Sequence, residues 1–159
     1  MNVILLRLAA IILCLILATG GSQADQAAAD NAVMIGSRDA IRCIREARSA
    51  EAYRNDQLNH FRICVGKADN FGNESTDDEM LQKYAIWATA YYLAIENYGN
   101  MTQKDYGTRG VANMQDFSET GKHTILWLEE KGYTTNRICR LLTWINCDHY
   151  KALPKYVPD

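Results

Sequence analysis

Proline is nearly missing from this chain: of 159 residues only Pro154 and Pro158 are proline, both close to the C-terminus. No proline therefore interrupts a helix anywhere before residue 154. Charge of one sign is missing too, since 17 basic residues stand against 19 acidic ones for a net charge of -2. Without a field that seeks phosphates, nucleic acid is not expected as a main partner. No segment alternates apolar and polar residues over a useful length, which excludes a fold built on half-buried strands. What remains is 48% hydrophobic and 23% charged, an ordinary globular composition at a length that suits one domain.

Recognisable chemistry is equally sparse. The sequence Cys-x-x-Cys-His does not occur, so covalent attachment of a c-type haem is excluded. The three histidines, His60, His123 and His149, fall in three different segments, and no serine or cysteine sits in a nucleophile motif. No catalytic residue is assigned, and the chain is not expected to be an enzyme. His60 and Cys64 are four apart and Cys147 and His149 two apart, which offers atoms suited to zinc; neither spacing matches a zinc pattern, and no metal or other cofactor is expected. The carboxylates of Asp77, Asp78 and Glu79 are explained by a helix start, as argued below.

The first 24 residues carry an address. Arg7 precedes an apolar run over residues 8–18, followed by Thr19, Gly20, Gly21 and the small-residue pattern Ser22-Gln23-Ala24. This predicts a secretory signal peptide over residues 1–24, cleaved after Ala24. Eleven apolar residues rise only about 16 Å as a helix, against roughly 30 Å of hydrocarbon, too little for a membrane anchor. Cys14 leaves with the signal, and Cys43, Cys64, Cys139 and Cys147 remain. An even number of cysteines in an exported chain predicts two disulfides and a periplasmic or secreted location, with no membrane attachment after cleavage.

Residues 25–36 are rich in Ala, Asp and Gln without a usable period and are expected as a mobile leader, with a single helical domain over residues 37–159. Ser37 can cap a first helix carrying Ile41, Ile44 and Ala47 on one stripe; Leu58, Phe61 and Val65 form a second, with Asn55-Asp56 as the break. A loop follows over residues 66–75. Thr76 then starts the clearest helix of the chain: its hydroxyl can accept an orphan backbone amide while Glu79 reaches back, and Asp77 and Asp78 add negative charge at the positive end of the dipole. Leu81, Tyr84, Ala85, Ala88, Tyr91, Tyr92 and Ile95 follow on one face, with Gly99 where a left-handed cap is expected. Val111, Met114, Phe117, Gly121, Ile125 and Leu128 form the next stripe, ended by Gly132. Thr134 or Thr135 caps a last helix with Ile138, Leu141, Leu142 and Ile145. The fold class is all-α, a compact bundle of about five helices stapled by two disulfides.

If Cys139 and Cys147 share one helix, about 12 Å of rise separates them, beyond the roughly 7 Å a disulfide spans. That favours a long-range clamp in which each bridges to Cys43 or Cys64. If the helix ends before Cys147, the local pair Cys43 with Cys64 returns. Most Tyr and Trp residues fall at core spacing, but Trp87 lies off the stripe of Leu81 and leaves open an exposed aromatic patch for a protein partner.

A rigid, stapled, exported helical domain without catalytic groups suits a protein-binding inhibitor, whose loops reach a partner at little entropic cost. The loop over residues 99–110 is the expected contact surface, with Lys104, Asp105, Tyr106 and Arg109 as partner-binding residues; the loop over residues 66–75 is second. The stretch Ile138-Cys139-Arg140-Leu141-Leu142-Thr143-Trp144-Ile145-Asn146-Cys147-Asp148-His149-Tyr150, followed by Leu153 and Lys155-Tyr156-Val157, resembles the end of periplasmic immunity proteins that neutralise type VI secreted peptidoglycan amidases. The resemblance implies a small, signal-bearing, all-α protein, commonly a homodimer, that blocks the active site of a secreted hydrolase. Two other classes stand beside it: a small helical enzyme or carrier with an apolar pocket lined by Tyr and Trp, and an envelope stress chaperone.

Overall fold

The computed structural model describes residues 2–72, 76–101 and 103–141, with side chains from residue 23 onward apart from 103–106, 135 and 139. Five helices follow one another: α1 Asn2–Ser49, α2 Arg54–Ala68, α3 Asp77–Tyr98, α4 Gln103–Glu130 and α5 Thr135–Leu141. There is no strand among the described residues, and the fold is all-α as the missing period-two pattern implies. No helix among them is long and apolar enough to cross a membrane.

The centre of the fold is α3, which packs against α1 on one side and α4 on the other, while α2 lies across α1 and α4. Its sequence explains the position. Small residues Ala85, Ala88, Ala90 and Ala94 alternate with Ile86, Leu93 and Ile95, and all are buried, so α3 is apolar almost all round and must be covered all round. The larger core cluster gathers Ile41, Ile44, Leu58, Ile86 and Tyr98 around the stacked rings of Phe61 and Phe117, 4.9 Å apart. A smaller cluster at the other end of α3 joins Val33, Leu81, Leu128, Tyr133 and Ile138.

Thr76 caps α3 in the expected manner: the Glu79 amide donates to Thr76 Oγ1 at 3.3 Å and the Thr76 amide donates to Glu79 Oε2 at 2.7 Å. Gly132 ends α4 at φ 81, with the amide of Tyr133 donating to the Leu128 carbonyl and that of Gly132 to the Glu129 carbonyl, the two bonds of a Schellman motif. Gly99 differs from expectation. Its φ of -64 and ψ of -15 are right-handed, so α3 ends by a turn that needs no special backbone.

The expected leader is part of the packed fold. Residues 25–36 lie within α1, where Ala32 and Val33 are buried in the smaller cluster. Asp30 accepts from the Tyr133 hydroxyl at 2.7 Å, from Arg137 Nη2 at 2.8 Å and from Gln26 Nε2 at 2.9 Å, tying α1 to the end of α4 and the start of α5. Packing therefore starts near Gln26, because alanine, which shows no amphipathic period, is both the strongest helix former and small enough for a close helix contact. Ser37 is accordingly no cap. It is buried mid-helix, and its Oγ accepts from Thr89 Oγ1 at 2.9 Å.

This Asp30 cluster carries a pH dependence. Burial raises the Asp30 carboxyl, but hydrogen bonds from Tyr133 and Gln26 and the charge of Arg137 outweigh it and hold the carboxyl below its ordinary 3.8. A depressed carboxyl stabilises the fold above its unfolded pKa, and that stabilisation is lost as the pH falls below about 3.8. Asp30→Ala is expected to cost about 2 kcal/mol at neutral pH, and the gap to the wild type should close as urea titrations move toward pH 2. A gap that stays constant with pH would remove the charge from the explanation.

The disulfide corrects the long-range clamp. Cys43 on α1 bonds Cys64 on α2, with Cα atoms 5.5 Å apart. The reason is the hairpin: α1 and α2 are joined by the short connection 50–53 and fold back on one another, which brings Cys43 and Cys64 together. A bridge from either to Cys139 or Cys147 is thereby excluded, while a pair formed by Cys139 and Cys147 falls outside the described residues.

Candidate partner-binding surface

The α1–α2 connection and the α3–α4 connection meet at one end of the molecule, and Arg54 holds them together. Its guanidinium donates to the carbonyl of Asn97 and to Asn100 Oδ1 at 3.1 Å, and lies 6.0 Å from the centre of the Tyr98 ring. Tyr98 itself is buried; that burial pushes its hydroxyl up to about 12 in spite of the opposing charges of Arg48 and Arg54. Gln57 Nε2 donates to the Ala50 carbonyl at 3.0 Å and closes the first connection, and Met101 is buried and anchors the second.

On this braced end stands Tyr53. It precedes α2 in extended backbone, makes no side-chain cap, and is 84% exposed. Its position is fixed by the chain on both sides rather than by packing of its ring. A rigid backbone carrying an exposed aromatic beside an arginine is the arrangement that binding surfaces concentrate.

The expected contact loop 99–110 is largely helical. Residues 103–106 form a helical turn, Gly107 breaks it at φ 58 and ψ 177, and the helix resumes at Thr108. Among the described glycines of this stretch Gly107 alone has a positive φ, so Gly99 and Gly110 do not open a loop. Arg109 is exposed next to the break. The side chains of Lys104, Asp105 and Tyr106 lie outside the described residues, and their backbone belongs to the turn before Gly107.

The second candidate loop, 66–75, is held down where it is described. Residues 66–68 complete α2, Asp69 Oδ2 accepts from Trp87 Nε1 at 2.8 Å, and Phe71 packs on the larger core. This also corrects the exposed patch built on Trp87. The indole is 5% exposed, lies 6.2 Å from the Phe117 ring, and carries the Arg62 guanidinium 4.7 Å above its centre while Arg62 pairs with Asp116. Trp87 leaves the stripe because α3 has no solvent face there.

Cys64 is consumed by its disulfide, so the pairing with His60 offers no thiolate to zinc. Among the described residues no group of three or more His, Cys, Asp or Glu is gathered for a metal ion. Two open clefts are present. One of about 380 Å³ lies between α1 and α2, lined by Arg42, Glu46, His60, Ile63 and Lys67; the other, of about 200 Å³, lies beside Gln26, Leu81, Trp127 and Tyr133.

Sequence reasoning missed Tyr53, although one signal was available: it belongs to neither the Ile41 nor the Leu58 stripe and sits directly before Arg54-Asn55-Asp56. No family model matches this chain, and neither a curated protein nor a solved structure matches it.

Proposed function

We propose that the chain is an exported binding protein of inhibitor or immunity type, which neutralises a cell-wall-degrading enzyme of the peptidoglycan amidase kind by occluding its active site. The observation that carries this reading is the braced end: two connections locked by Arg54, with Tyr53 projecting and Arg109 beside the Gly107 break. A surface that is already ordered loses little freedom on binding, so its contact energy goes into affinity. Tyr and Arg supply large rigid contact area and directional hydrogen bonds, the two commonest sources of concentrated binding energy.

The address segment and the disulfide support a periplasmic or secreted site of action, where an envelope-directed hydrolase is met. With Cys43 and Cys64 joined, the second bridge of the exported chain is Cys139 with Cys147.

The test is inhibition of purified peptidoglycan amidases by the oxidised protein lacking residues 1–24. Tyr53→Ala and Arg109→Ala, each at an exposed position, should weaken inhibition by about 30-fold with an unchanged helical spectrum, the size of a single strong contact. Tyr106→Ala should act in the same direction. Failure of the wild-type protein to bind or inhibit any amidase offered would overturn the reading.

A further inference from the structure

The smaller cleft, where α3 begins and α4 ends, gathers groups that the fold does not use. It holds about 200 Å³, room for one small ring, and its floor is Ala29 and Leu81. Trp127 forms the wall, half-buried and set edge-on to the half-buried Tyr84 at 4.4 Å; on the far side of Tyr84, at 6.3 Å, stands the exposed His123, one turn back along α4. Three rings therefore follow the α3–α4 seam away from the cleft. Polar groups converge on its rim. Asp77, one turn before Leu81, is exposed, and so is Lys131, one turn after Trp127; no ion pair joins the two among the described residues. Lys131 Nζ lies 5.3 Å from the centre of the Trp127 ring, at the end of a flexible stem that can turn to a ligand. Gln26 completes the rim, its Nε2 donating to the Tyr133 hydroxyl at 3.0 Å and to Asp30 Oδ1 at 2.9 Å, which fixes the amide in place.

One carboxylate and one ammonium leave the rim without net charge, so neither a polyanion nor a polycation is selected. Asp77 only accepts hydrogen bonds, Lys131 only donates them and an amide does both; together they match a polyol, in which every hydroxyl donates and accepts. A sugar ring also presents a face of C–H groups, whose slight positive charge meets the negative face of an aromatic ring. A zwitterionic amino acid would satisfy the two charges but leave Tyr84 and His123 without a role. A chain of sugars laid along the seam reaches them. The apolar floor suits a methyl group, and an acetamido substituent brings one together with an amide donor and acceptor for the rim.

We infer that this cleft and its aromatic seam bind a neutral, linear glycan of N-acetylated hexosamines, with one ring seated on Trp127 between Asp77 and Lys131. The site stands at the start of α3, whereas Arg54 and Tyr53 meet the end of that helix at Asn97 and Tyr98. It does not rest on what the Tyr53 end binds.

Calorimetric titration of the oxidised protein with tetra-N-acetylchitotetraose decides it. A dissociation constant of about 100 µM is expected, with cellotetraose, which lacks the acetamido group, about tenfold weaker. Lys131→Ala and Asp77→Asn, both at exposed positions, should each weaken binding about tenfold with an unchanged helical spectrum. Trp127→Phe, which keeps an apolar ring in the wall, should weaken it about fivefold. Tyr53→Ala should leave the glycan affinity as it is, which separates this site from the inhibitory surface. No binding at about 5 mM glycan, an affinity indifferent to Lys131→Ala and Asp77→Asn, or equal binding of dialanine, a zwitterion without a sugar ring, would each overturn the inference.

Discussion

Replacing Gly36 by alanine is expected to lower the stability of this protein by about 3 kcal/mol, although the same change inside a helix ordinarily raises it by nearly 1. The reversal of sign comes from the crossing of α1 and α3. A Cβ at residue 36 would stand 2.1 Å from the carbonyl oxygen of Gln82 and 2.9 Å from its carbonyl carbon. Those are backbone atoms in the body of α3 and cannot rotate aside, so the helices must separate, and separation loosens Val33, Ala40 and Leu81 around them. Gly121 plays the same part between α4 and α3, where a Cβ would meet Tyr91 Cβ at 2.3 Å. Gly66 supplies the control. On exposed α2 its Cβ would meet only the end of the Arg62 side chain at 2.8 Å, which can move, so Gly66→Ala should be neutral or stabilising. Urea unfolding of the three variants reads the outcome, and a stabilised Gly36→Ala protein would mean that α1 and α3 do not approach this closely.

Why Gly36 was illegible in the sequence also explains what else was. Local chemistry was readable: the Thr76–Glu79 box, the Gly132 cap and the stripes of Leu58 and Val111 are set within a few residues, and the structure has them where the spacing put them. Contacts between segments were not. Residues 25–36 look featureless because alanine shows no period, yet that composition lets α1 press against α3. Trp87 departs from the Leu81 stripe and so leaves an exposed patch open in the sequence, but a helix covered on every side has no stripe to depart from.

The candidate site divides in the same way. The neighbouring glycines point to Arg109, and the structure sets it beside the break at Gly107; the same glycines point to Lys104, Asp105 and Tyr106, whose side chains lie outside the described residues. For Tyr53 the sequence offers only its place outside both neighbouring stripes. Its setting depends on Arg54 reaching Asn97 and Asn100, contacts 43 and 46 residues apart, which no local pattern encodes.

Removing the Cys43–Cys64 bridge is expected to cost about 3 kcal/mol, from the chain entropy restored to the unfolded state when a loop of this size is opened. The two cysteines are 21 residues apart, so the loop is the α1–α2 hairpin and nothing else. The consequence is local in the folded state. Among its described side chains α2 buries Leu58, Phe61 and Val65, far fewer than α3, so α2 is the helix that most needs the staple. It also carries Tyr53 and Arg54 at its start, so loosening α2 releases the braced end before it disturbs the core. The Cys43→Ala/Cys64→Ala protein should therefore show faster amide exchange through residues 54–68 than through α3, and weaker amidase inhibition at temperatures where its helical content is still full. Peptide mapping of the oxidised wild type should recover Cys43 linked to Cys64. Uniform loss of protection across α1, α3 and α4 would instead show that the bridge holds the whole fold, and that the Tyr53 end is braced by Arg54 alone.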